Sequence, residues 1–265
     1  MKKLFFILFA ISTSAASYAQ QTFAWPAGKQ MAISLSFDDA RESQVLIGTP
    51  VLNQYGVKAT FYVVPSAVKN QLAGWKEAVA SGHEIGNHSL THPCQGNFRW
   101  SRKNALEDYT LEKMQHELTE CNKQVKEMLQ VDCQVFAYPC GQKYVGAGVS
   151  TQSYVPLVST LFQSGRGWLD EAPNDPLHCN FDQLTCIEMD GKTFEQLLPI
   201  INEARQNGSW LVFGGHEINE TGVQTTRVET LKKLMAYVND PLNQIWIQPV
   251  GVITKYVKDQ RGIAK

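Results

Sequence analysis

The sequence predicts a mostly parallel α/β fold of the barrel type, and three observations carry that prediction. Short apolar runs of strand length alternate along the chain with amphipathic stretches of helical period. Six or seven such pairs fit within 265 residues, which points towards a barrel more than an open sheet. The polar residues of chemical interest stand where the apolar runs end, and parallel barrels carry their active sites at those carboxyl ends.

The elements follow in order. Met31 to Phe37 reads as a buried strand and Ala59 to Val64 as a second. Gly74 to Ala80 has helical character and leads through Ser81-Gly82-His83 into a short strand around Glu84 to Gly86. Thr110 to Leu129 is a long amphipathic helix, with Leu111, Met114, Leu118, Cys121, Val125 and Met128 at three- and four-residue steps. Val135 to Tyr138 and Leu184 to Met189 are further strands, followed by a helix from Phe194 to Gln206 and a strand from Trp210 to Phe213. A helix over Thr225 to Asn239 and a strand over Ile245 to Gln248 complete the alternation. No linker, charge run or repeat divides the chain, so residues 20–265 are expected to form one domain.

The first 19 residues read as a secretory signal peptide. Lys2 and Lys3 precede an apolar stretch from Leu4 to Ile11, and Ser17-Tyr18-Ala19 offers small residues at the cleavage positions. That apolar stretch falls well short of the roughly 20 residues that span a bilayer, so no membrane anchor is expected. Removal of Lys2 and Lys3 leaves 22 basic against 25 acidic residues. No basic stripe is visible, which argues against a nucleic-acid partner, and no obligate protein partner is evident. Six cysteines (Cys94, Cys121, Cys133, Cys140, Cys179, Cys186) suit a disulfide set in an exported chain. Cys179 and Cys186, flanking a short segment, are the expected bridge.

Three segments carry candidate chemistry. In Ser36-Phe37-Asp38-Asp39-Ala40 an apolar strand runs into two carboxylates, which repel unless a cation intervenes. One then serves as a ligand and the other stays free as a base. In Gly86-Asn87-His88-Ser89-Leu90-Thr91-His92-Pro93 two histidines stand four apart, a spacing that presents both imidazoles to one metal. In Trp210-Leu211-Val212-Phe213-Gly214-Gly215-His216 an apolar strand ends in two glycines and a histidine able to act as acid or base. Each alone has an ordinary structural explanation. Their coincidence at three strand exits, five potential ligands and proton carriers together, argues against those ordinary explanations.

The Phe-Asp-Asp and His-Ser-x-x-His-Pro segments, in this order, resemble those of the polysaccharide deacetylases that share the NodB homology domain (carbohydrate esterase family 4). The resemblance runs from about Met31 to beyond His216 and implies a distorted (β/α) barrel of about seven units. It implies that Asp39, His88 and His92 hold a divalent metal, with Asp38 as general base and His216 as the acid for the leaving group. Zinc is the default ion, and cobalt, nickel or manganese also suit such ligands. No organic cofactor is implied. The family's Arg-Pro-Pro-Tyr-Gly motif stands here as Ala137-Tyr138-Pro139-Cys140-Gly141, so the backbone N–H of Cys140 becomes the expected oxyanion donor. The motif's Arg, which pairs with the base, is missing, and Ala40 replaces a usual Gly. Asp190 is the preferred partner of His216, with Asp170 and Asp175 as alternatives. Trp168 is either a core residue or a surface for a sugar ring. The implied substrate is a carbohydrate, with N-acetyl groups of an amino-sugar chain ahead of O-acetyl groups of a plant polysaccharide such as xylan. A carbohydrate-binding protein on a disabled scaffold is the reading from another class.

Overall fold

The computed structural model describes residues 22–263; the expected signal peptide lies outside them. Eight parallel strands form the main sheet: β1 (Met31–Asp38), β2 (Thr60–Val63), β3 (Glu84–Asn87), β4 (Val135–Ala137), β5 (Ser164–Arg166), β6 (Ile187–Glu188), β7 (Trp210–Gly215) and β8 (Ile245–Ile247). Their order is β5-β4-β3-β2-β1-β7-β6, and β8 pairs with the first half of β1. The sheet curls until its outer strands meet through one residue. Leu184 donates to the Gly165 carbonyl and accepts from the Gly167 N–H, both at 2.8 Å. The predicted α/β barrel is therefore the observed architecture, and its distortion lies at this single-residue closure.

Eight α-helices pack around and below the sheet: α1 (Thr49–Gln54), α2 (Pro65–Asn70), α3 (Leu72–Ala80), α4 (Leu111–Leu129), α5 (Val155–Leu161), α6 (Phe194–Gln206), α7 (Val228–Asn239) and α8 (Val250–Gln260). None among the described residues is long and apolar enough to cross a membrane.

β1 shows how the strands divide inside from outside. Successive side chains point to opposite faces, so Met31, Ile33, Leu35 and Phe37 join the core beneath the helices. Ala32 joins a second core inside the barrel, built with Tyr62, Val135, Ala137, Cys186, Trp210 and Val212. Asp38 shares the phase of Ala32 and so points inward at the top of the barrel.

α8 seals the opposite end. Val250, Ile253 and Val257 pack into the inner core, while the Gly251 N–H donates to Glu84 at 2.9 Å and the Val250 N–H to Thr60 at 2.8 Å. A methyl group on Gly251 would stand 2.1 Å from Glu84 Oε1, so only glycine permits this approach.

Two expectations need correction. The helix expected from Thr225 begins at Val228, because Thr225–Arg227 pairs as a short strand with Glu217–Asn219. The expected Cys179–Cys186 bridge does not form, and both are free thiols. The segment between them makes a turn at Phe181–Gln183 and then extends along β5 through Leu184, which separates the two. Cys186 is sealed in the inner core, and the backbone carbonyl of Cys179 accepts from Arg261 at 2.8 Å. The disulfide that is present joins Cys94 to Cys140.

Gly251→Ala should lower stability by about 1–3 kcal/mol, the usual cost of overpacking a filled core. Denaturant unfolding checks this, and an unchanged midpoint would show that α8 shifts freely on the sheet.

Candidate functional site

The carboxyl ends of the strands open into a cleft of about 1090 Å³ that receives Asp38, Asp39, His88, His92, Cys140, Trp168 and His216. Two left-handed residues make the Asp-Asp pair converge. Asp39 (φ 73°) and Ala40 (φ 55°) turn the chain sharply after β1, so Asp39 swings over the barrel mouth while Asp38 stays inward. Left-handed backbone strains a residue that carries a Cβ, which is the physical sense of glycine at position 40 in the resembling family.

Asp39 Oδ1 lies 3.5 Å from His88 Nε2 and 3.3 Å from His92 Nε2. Its other oxygen accepts from Arg41 at 2.9 and 3.2 Å, which fixes the carboxylate's orientation. His88 Nδ1 donates to the Ala137 carbonyl at 2.9 Å, so its Nε2 presents a lone pair to Asp39. The Nε2 lone pair of His88 then faces and repels the Asp39 carboxylate, and the ligand atoms of Asp39, His88 and His92 lie within 4.8 Å of each other. A cation between them relieves that repulsion, so the donor set fits a divalent metal. Burial, followed by the neighbouring His88, pushes His92 down to about 4, keeping it neutral as a ligand requires. Burial alone would raise Asp39, but a protonated His88, through its hydrogen bond and charge, with His92 and His216 nearby, holds it well below the usual carboxylate range.

The loop carrying His92 is built from behind. Glu117 on α4 accepts from the Thr91 N–H and hydroxyl, both at 2.8 Å, and from the Tyr109 hydroxyl at 3.0 Å. The Cys94–Cys140 disulfide ties this loop to the turn after β4. His92, Cys94 and Cys140 also cluster, but the two sulfurs are bonded to each other and supply no thiolate. Cys140 is left-handed (φ 53°). Its turn is closed by the N–H groups of Gly141 and Gln142, at 2.9 and 3.0 Å, leaving the Cys140 N–H outside that ladder.

On the other side, His216 Nδ1 bonds Asp190 Oδ2 at 2.7 Å, and Asp190 Oδ1 accepts from Thr226 at 2.8 Å. Asp170 instead accepts from the Cys186 N–H, and Asp175 from the Leu177 N–H, so neither meets His216. Burial alone would lower His216, but the Asp190 hydrogen bond and the charges of Asp38, Asp39 and Asp190 raise it above its ordinary value. The Trp168 ring stands edge-on to His216 at 4.7 Å.

Two residues at the centre were not read from the sequence. Arg166, fully buried at the end of β5, makes an ion pair with Asp38 Oδ1. Its register partner on β4 is Ala137, the position where the family motif carries Arg. The guanidinium has thus moved one strand along the sheet and still reaches the same carboxylate. The signal was a charged residue ending Ser164-Gly165-Arg166, too short and polar for hydrophobic periodicity to register as a strand. Gln44 donates to the Asp38 carbonyl at 2.6 Å and to the His216 carbonyl at 2.8 Å, clamping two strand ends together.

Residues 25–151 match the family model described as polysaccharide deacetylase. A stretch of 65 residues is 42% identical to a chitooligosaccharide deacetylase of Bradyrhizobium sp. (strain ANU 289), covering 23% of this chain and 28% of that one. A stretch of 62 residues is 40% identical to the peptidoglycan-N-acetylglucosamine deacetylase PgdA of Listeria monocytogenes, covering 23% and 13%. The chain spans less than a third of the length of the curated relatives it matches. Among solved structures, a candidate polysaccharide deacetylase from Mycobacterium smegmatis superposes with a TM-score of 0.67 at 16% identity, covering 91% of this chain and 95% of that one. That likeness establishes the fold.

Arg166→Met should cost about 3–5 kcal/mol of stability, because it strands Asp38 as an uncompensated buried charge. Pairing it with Asp38→Asn should recover much of that loss. Thermal unfolding of the two single variants and the double checks the coupling, and simple additivity would show that the pair does not interact.

Proposed function

We propose that this chain, which belongs to the polysaccharide deacetylase family, is an exported, metal-dependent hydrolase that removes N-acetyl groups from an amino-sugar oligo- or polysaccharide. One observation carries the reading. The Asp39, His88 and His92 cluster stands in the same cleft as a carboxylate fixed by Arg166 and a histidine fixed by Asp190. The disulfide beside the site fits an oxidising compartment.

Asp39, His88 and His92 would hold the ion, zinc first, with cobalt, nickel or manganese also compatible. When bound, such an ion polarises an acyl carbonyl and acidifies water. The remaining steps belong to the protein. Asp38 is bonded to Arg166 through Oδ1, and its Oδ2 makes no hydrogen bond among the described residues. Oδ2 is thus available to take a proton from water attacking the acetyl carbonyl. The Cys140 N–H donates to the carbonyl oxygen as it gains charge. Protonated His216, held by Asp190, delivers a proton to the departing nitrogen as the C–N bond breaks, and acetate leaves with an amine. Trp168 walls the far side of the acid.

Acetate release from acetylated chitooligosaccharides, peptidoglycan fragments and acetylated xylan, each with and without chelator, tests the reading. Chelator-sensitive release from either amino-sugar substrate is expected. Release from xylan alone would make the protein an O-acetyl esterase. Binding of these sugars without release would favour the binding-protein reading.

Asp38→Asn should retain metal and lose roughly 10²–10⁴ in kcat, the usual contribution of general acid–base catalysis. His92→Ala should lose metal and turnover together. His216 acts as its protonated form, so activity is present below its raised pKa and fades as pH rises through it. Asp190→Asn removes the charge and hydrogen bond that raise that pKa. The alkaline limb of the pH–rate profile should therefore move to lower pH, and a limb that stays in place would exclude His216 as the acid.

A further inference from the structure

Five of the six tryptophans are buried or half-buried, but Trp100 is 62% exposed, and Phe98 beside it is 41% exposed. Tryptophan is highly buried on average, so an exposed one beside a cleft signals a contact surface. Both rings line the same cleft as the metal ligands. The Trp100 ring lies 5.7 Å from the His92 ring, and Phe98 is 5.6 Å further along, tilted by 34°. The platform therefore starts one ring away from the ligand cluster.

The segment that bears it is held in place without any bound partner. The Ser101 hydroxyl accepts from the Cys94 N–H at 2.9 Å and donates to the Cys94 carbonyl at 2.7 Å. The Ser101 N–H closes the turn onto the Phe98 carbonyl at 2.9 Å. The Gln95 N–H donates to Gln142 beyond the β4 turn at 2.8 Å, next to the Cys94–Cys140 disulfide. Two exposed aromatic rings fixed by a buried serine and a covalent bridge form a preorganised surface, which lowers the entropy lost on binding.

Chemistry selects the occupant. The C–H groups of a pyranose ring are polarised by the adjoining oxygens and carry partial positive charge, while an aromatic face is negative. The cleft, at about 1090 Å³, exceeds the roughly 300–1,000 Å³ of most small-molecule pockets, so it accepts more than one sugar. We propose that Trp100, flanked by Phe98, is the stacking platform for the pyranose next to the one whose acetyl group is removed, and that it makes the protein select chains over single sugars. This rests on the deacetylase reading.

The test uses titration calorimetry with the fully deacetylated chitotetraose, which cannot be turned over, and steady-state kinetics with the acetylated tetramer. Trp100→Ala should weaken tetramer binding about tenfold and raise KM by a similar factor, with a smaller change in kcat. Trp100→Phe should fall between it and wild type. Leu242→Ala, an exposed apolar side chain outside the cleft, should match wild type. Binding by Trp100→Ala equal to wild type would overturn the proposal, as would a wild-type protein that binds neither chitotetraose nor xylotetraose. Tetramer binding that depends on Trp100, without acetate release from the acetylated form, supports the platform and tells against the deacetylase reading alone.

Discussion

A fully buried guanidinium needs a partner, and the mouth of this barrel is organised around that need. Arg166 has no exposed surface, and leaving it unpaired in the interior would be prohibitive. Its Nη2 pairs with Asp38 across the barrel and its Nη1 donates to the Gly167 carbonyl at 2.8 Å, with the Tyr62 ring 4.7 Å from the guanidinium carbon, while Nε has no hydrogen-bond partner among the described residues. The bond spans from β5 to β1, strands that lie four steps apart in the sheet. It therefore holds the curl of the sheet and orients the candidate base at once. Closure through Leu184 sits beside it, since Leu184 bridges to Arg166 itself. Packing and chemistry share one interaction here.

The strained turns follow from the same geometry. A strand that delivers Asp38 inward must turn at once to bring Asp39 over the mouth, and two left-handed residues accomplish that. Ser89, His92, Cys140 and Leu169 are also left-handed, and His92, Cys140 and Leu169 line the cleft. Such conformations cost of order 1–3 kcal/mol each and persist only where the surroundings over-determine them. Those surroundings are visible: Arg41 on Asp39, Glu117 behind the His92 loop, and the disulfide between His92's loop and Cys140.

How much of this was legible in the sequence depended on range. Strands such as Met31–Asp38 and Trp210–Gly215 announce themselves by their density of apolar residues, and both are buried along their whole length, as parallel strands are. The residues at their ends could be read for the same reason. The strand ending in Arg166 could not, because its charge is tolerated only through a carboxylate 128 residues away. The disulfide joins cysteines 46 apart that meet because β3 and β4 are neighbours, and spacing favoured the wrong pair. Thr225–Arg227 reads as helix until its partner strand, Glu217–Asn219, is known. The apolar stripe of Val250, Ile253 and Val257 was within reach of periodicity, yet the barrel seal it forms depends on Gly251 meeting Glu84.

Three histidines in one cleft take different parts, and the atom facing each Nδ1 separates them. His88 donates to a neutral carbonyl, which fixes the tautomer and leaves Nε2 as an electron-pair donor. His92 has only the Cys94 sulfur near its Nδ1, at 3.8 Å, so burial prevails and the ring is neutral. His216 meets a carboxylate at 2.7 Å, itself oriented by Thr226, and that contact outweighs burial. His88 and His216 are buried and His92 is half-buried, and all three have aspartates nearby. Proximity to negative charge in general therefore does not separate the proposed ligands from the proposed acid. A direct bond to a carboxylate does, and only His216 among the three has one at Nδ1.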